Sequence, residues 1–136
     1  MTPRRHREGL RSRLVMVAGL LGFTAVAIGA FAAHGLRARL PVAALELIHT
    51  GARYQIYHAL ALLAMAAWPW PMGRLAQLSG WLFGAGVVIF SGSLYLLALT
   101  GMRWLGLLTP FGGICLLSGW LLLVAAAWRA GRGPAE

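Results

Sequence analysis

The stretch LSGWLFGAGVVIFSGSLYLLALT, residues 78–100, holds 23 consecutive residues without a charge. A helix needs about 20 apolar residues to cross roughly 30 Å of hydrocarbon. Inside lipid the backbone finds no water to bond, so a run of this kind must close its own hydrogen bonds as a helix. Working outward, residues 14–33 form an uncharged run of 20, residues 110–128 one of 19, and residues 54–70 one of 17 with Gln55 and His58 inside it. The expectation is an all-α chain, a four-transmembrane-helix bundle occupying residues 14–128. A basic segment, 1–13, precedes it and a short tail, 129–136, follows.

Composition supports lipid as the surrounding medium. The chain is 60% apolar and 11% charged, against about 25% charged for a soluble domain. Twelve basic residues, all arginine, and three acids are too few to make a water-facing skin. The net charge of +9 does not point to nucleic acid, because the arginines flank apolar runs instead of forming one patch. Cys115 has no second cysteine to pair with and reads as a small packing residue. The first run exceeds the ~7–15 residues of a signal-peptide core and is read as a retained span.

The approach to the second span is unusual. Pro41 suits the first turn of a helix, yet 30 residues from there to Trp70 would make about 45 Å of helix. The sequence therefore predicts a short interfacial helix between helices 1 and 2, a break near Thr50 and Gly51, and then the span, with a single long tilted helix as the alternative. The fourth span has a clear start, with Thr109 as cap and Pro110 in the first turn. Arginine counting favours termini inside. Eight arginines fall on the terminal side and four on the other, namely Arg37, Arg39, Arg53 and Arg103.

Helices in lipid associate through small residues that let backbones approach. Helix 1 offers Ala18, Gly22, Ala25, Gly29 and Ala32 on one face. Helix 3 offers Gly80 and Gly84, and helix 4 offers Gly112 and Gly119. Polar residues at membrane depth are costly and mark interior or functional positions. His34, Glu46, His49, Arg53, Tyr54, Gln55 and His58 gather where the first loop meets the second span, and Ser91, Ser93 and Tyr95 lie in the third. They form a candidate polar site at the outer end of helices 1 and 2. No metal-ligand spacing, phosphate loop or nucleophile elbow occurs, and Glu46 is the only acid away from the termini. No catalytic set, metal or cofactor is expected.

Four motifs in register carry a resemblance over about residues 14–128. These are GAFAAHGL (29–36), TGARYQIYHAL (50–60), FSGSLY (90–95) and TPFGG (109–113). The chain resembles the YgdD/YwdK family of small bacterial inner-membrane proteins, DUF 423, a domain of unknown function. The resemblance implies a four-helix inner-membrane protein and brings no reaction, ligand or partner with it. The arginine-rich start, 1–13, is longer than the family pattern. The expected role is a structural, interaction or modulator subunit whose partners are the bilayer, a second copy or other membrane proteins. The rival is a small channel or proton-linked transporter built on the polar cluster.

Overall fold

A computed structural model describes residues 3–68 and 72–132, with side chains from Glu8 onward. Trp70, the expected end of the second span, and the tail beyond Arg132 lie outside the described residues. The described chain is all helical. Helix α1 spans Pro3–Phe31 and runs into a wider π turn at Ala32–Leu36. Helix α2 spans Val42–Ala66 and α3 spans Arg74–Thr100. A 3-10 turn, Arg103–Leu107, leads into α4, Thr109–Gly131.

Three of these elements, Glu8–Leu36, Arg74–Thr100 and Arg103–Gly131, are long and apolar enough to cross a membrane. Helix α2 falls short on hydropathy because Glu46, His49, Arg53, Gln55 and His58 interrupt it. Its course corrects the sequence reading. The helix runs unbroken through Thr50 and Gly51, so no separate interfacial helix precedes it. Its 25 residues make about 37 Å, and starting at Val42 places Gln55 and His58 at mid-helix instead of near an outer end. Gly51, where the length argument places the break, serves a close approach instead. A Cβ there would lie 2.6 Å from the Tyr95 ring.

The helices pack in chain order, α1 on α2, α2 on α3 and α3 on α4. One core cluster joins Ala18, Leu62, Met65, Phe83, Val87 and Leu116 across all four helices. A second joins Ala32, Ile48 and Ala98 at the other end. The small face of α1 is used internally, with Ala18, Ala25 and Ala32 all buried. The α3–α4 seam is the tightest. Phe83 packs over Gly119, Phe90 over Gly112, and Leu116 over Gly86. Positions advance by three and four on both strands of this seam, the spacing of antiparallel helices whose side chains fill facing holes. Gly80 meets Leu14, Leu62 and Met65, and Gly22 meets Ile56. Gly29 and Gly84 have nothing within 4 Å of a built Cβ, so neither marks a close helix approach among the described residues.

Two ends depart from expectation in detail. Gly101 closes α3 at φ 70° and donates its N–H to Leu97 O at 2.9 Å, a left-handed cap that favours glycine. At α4 the helix begins with Thr109 itself, and its hydroxyl caps nothing. That oxygen instead lies 2.8 Å from Ser93 Oγ on α3.

Candidate functional site

The buried polar side chains are Gln55, His58, Ser79, Ser91 and Ser93, and each one tethers one helix to another. Gln55 is the hub. Its Nε2 donates to Leu21 O at 2.8 Å and to Thr24 Oγ1 at 2.6 Å, both on α1. Its Oε1 accepts the Tyr95 hydroxyl of α3 at 2.8 Å. The Thr24 hydroxyl can accept from Gln55 because its own proton goes to Leu20 O at 2.8 Å. An amide carries both donors and acceptors, and here it joins three helices.

One turn further along α2, the His58 ring is buried among Phe83, Trp120 and Tyr54, with the Phe83 centroid at 5.2 Å. Nδ1 lies 2.7 Å from Tyr54 O. A carbonyl only accepts, so Nδ1 carries the proton. Nε2 then has a lone pair, and it accepts the Trp120 indole N–H at 3.2 Å. The neutral Nδ1–H tautomer uses both nitrogens.

Serines complete the set. Ser91 Oγ donates to Gly51 O at 2.8 Å, from α3 to α2. Ser79 Oγ donates to Gly119 O at 2.7 Å, from α3 to α4. Ser93 Oγ donates to Phe90 O at 2.9 Å, which leaves Thr109 as the donor in their mutual contact. Among the described residues no buried side-chain nitrogen or oxygen lacks a partner.

The expected site therefore divides. Gln55, His58, Ser91 and Ser93 are buried and Tyr95 is half-buried, while Tyr54 is exposed with its ring 4.8 Å from that of Phe90. Glu46 and Arg53 are exposed and His49 is half-buried. His34 is exposed in the π turn after α1, its Nδ1 3.0 Å from Ala30 O, where a helix end leaves carbonyls free. Among the described residues no group of histidines, cysteine and acids is placed to hold a metal. Sequence reasoning missed Thr24, Ser79 and Trp120. The repeat Ser79, Phe83, Gly86, Phe90, Ser93 carried the signal for Ser79, because its three-and-four spacing marks one helix face.

Among the described residues, two of the cavities between helices are of ligand size, and neither is lined by His58, Gln55 or the buried serines. One, about 940 Å³, is an apolar cleft between α1 and α3 that includes Leu20, Gly80 and Val88. The other, about 480 Å³, lies at the end carrying both termini, between the end of α2, the start of α3 and the end of α4.

Comparison with known proteins agrees with this architecture only at the level of sequence, since no solved structure matches. The chain is 39% identical over 115 residues to the UPF0382 membrane protein YwdK of Bacillus subtilis, covering 83% of this chain and 94% of that one. It is 37% identical over 130 residues to the inner membrane protein YgdD of Escherichia coli, covering 90% and 95%. A Haemophilus influenzae UPF0382 membrane protein is 39% identical over 123 residues, covering 89% and 98%. The family model described as a protein of unknown function, DUF423, matches residues 28–113, a span that includes Gln55, His58, Ser91, Ser93 and Tyr95. The chain is a multi-pass inner-membrane protein and belongs to the DUF423 family.

Proposed function

We propose that this protein is a membrane-embedded interaction subunit, not an enzyme, and that its interior polar residues hold the bundle together. The observation that carries this reading is that every buried polar side chain among the described residues finds a partner within the bundle. His58 has both nitrogens engaged, Gln55 its donor and acceptor, and Ser91 and Ser93 their hydroxyls. Polar groups bonded from one helix to the next in this way act first as ties within the bundle.

The same reading makes α2 a fourth crossing with termini on the inner side. Gln55 and His58 lower the hydropathy of α2, yet both are shielded by neighbouring helices, so lipid does not meet them. Arg53 is exposed, and its long stem lets the guanidinium reach toward the headgroups.

A partner's place is suggested by α1. Its main partner is α2, with Leu14 also reaching Gly80 of α3, and it leaves Gly19, Phe23 and Val26 uncovered at helical spacing. Nothing lies within 4 Å of a Cβ built on Gly19, so another helix can approach closely there. The full chain, purified in mild detergent, should run larger than a monomer by light scattering, as a homo-oligomer or with a bound membrane protein. Gly19→Leu should return it to a monomer of unchanged helicity. A wild-type chain that is monomeric and partner-free sinks the proposal. A proteoliposome ion flux abolished by His58→Ala gives the transporter reading its place.

A further inference from the structure

The 480 Å³ cavity at the terminal end has the layered chemistry of a lipid. Arg74, the first residue of α3, and Arg129, in the last turn of α4, both line it. Among the described residues neither guanidinium makes a hydrogen bond or an ion pair. Gly73 caps α3 without a side-chain bond, and no acid occupies its first turn, so that end also presents unpaired backbone N–H groups. Met65, Leu123 and Ala126 make an apolar wall in the same cavity.

Depth and charge agree. Trp68 lines the cavity, and Arg132 stacks 3.7 Å from the Trp128 ring one residue before Arg129. Tryptophan pairs of this kind sit at the headgroup level. The sequence has only three acids, and Glu46 lies toward the opposite end of the bundle. The arginines at the terminal end therefore outnumber the carboxylates the chain can offer them. Their counter-charge must come from outside, and basic pockets between helices are suited to lipid phosphates.

We propose that this cavity binds one anionic glycerophospholipid. Its phosphate is held by Arg74, Arg129 and the start of α3, and an acyl chain lies along Met65, Leu123 and Ala126. The apolar wall favours a lipid over a free phosphate, which would leave that wall unused. A volume of about 480 Å³ falls in the ordinary range of small-molecule sites, roughly 300–1,000 Å³.

The test uses the full chain in mild detergent, with phosphatidylglycerol, phosphatidylcholine and inorganic phosphate as probes. Retained lipid is read by native mass spectrometry and stabilisation by thermal melting. Phosphatidylglycerol should bind and raise Tm, and phosphatidylcholine and phosphate should do so far less. Arg74→Gln with Arg129→Gln should weaken phosphatidylglycerol on the order of tenfold or more. Arg37→Gln with Arg39→Gln, the same charge change at the other end, should leave it intact. If the first pair does not fold, Ala126→Phe, which fills the cavity and keeps both arginines, should displace the lipid. Equal binding of phosphatidylcholine, equal competition by phosphate, or phosphatidylglycerol binding unmoved by the folded cavity variants overturns the proposal.

Discussion

Gln55 is hydrogen-bonded to α1 and α3 from the middle of α2, and its removal leaves the Tyr95 hydroxyl without an acceptor. Hydrogen bonds between membrane helices average about 0.6 kcal/mol and reach about 1.7, so Gln55→Leu should cost about 1–2 kcal/mol. Paired with Tyr95→Phe in a double-mutant cycle, unfolding in mixed micelles should give a clear coupling energy. Additive losses from the two changes would show that the contact contributes nothing. His58 makes a sharper statement. A 15N spectrum of labelled histidine should show the Nδ1–H tautomer at this position, with Nε2 changing its shift in Trp120→Phe, and an Nε2–H tautomer would contradict the geometry. Sequence reading found Gln55 and His58 because they interrupt an apolar run. It did not find Trp120, since a tryptophan in a span looks like lipid-facing bulk until a neighbouring helix supplies its acceptor.

Glycine has three different uses among these elements, and only their surroundings distinguish them. Gly112 lies against the Phe90 backbone, closer than any Cβ tolerates, whereas Gly29 faces open space. Both had been read from the sequence as packing positions, because spacing identifies a small face but not its occupant. Gly112→Ala should force α3 and α4 apart and cost about 1–3 kcal/mol. Gly29→Ala should be neutral, or stabilise by up to about 1 kcal/mol through helix propensity. Equal melting temperatures for the two variants would mean that the α3–α4 seam is not as close as described. Gly51 shows how the second helix was misread. Thirty residues from Pro41 to Trp70 exceed the hydrocarbon thickness and invite a break at Thr50 and Gly51, yet the glycine admits the Tyr95 ring, and its carbonyl takes Ser91. Helices α3 and α4 were legible because their lipid-facing surfaces leave long apolar runs. Helix α2 was not, because its Gln55 and His58 are shielded by α1, α3 and α4, and a single sequence does not record that shielding.

At the scale of the whole molecule, the number of crossings decides where every loop lies. Helices α1, α3 and α4 qualify as spans on length and hydropathy, and three crossings alone would put the two termini on opposite sides. Packing supports the fourth crossing proposed above. The α1–α2 pair is antiparallel, since Arg11 near the start of α1 bonds Trp68 O just beyond the end of α2 at 2.7 Å. At the opposite end Ala32 and Ile48 share a core cluster. If α1 crosses, a partner lying along it over this length crosses with it. Single cysteines in a Cys115→Ala background can decide the matter with a membrane-impermeant thiol reagent. Ala38→Cys before α2 and Gly73→Cys after it should label from opposite sides of the membrane. Ser12→Cys and Ala130→Cys should label from the same side as Gly73→Cys, and Met102→Cys from the side of Ala38→Cys. Labelling of Ala38→Cys and Gly73→Cys from one side would remove α2 from the membrane. The buried Gln55 and His58 would then need an explanation other than shielding from lipid.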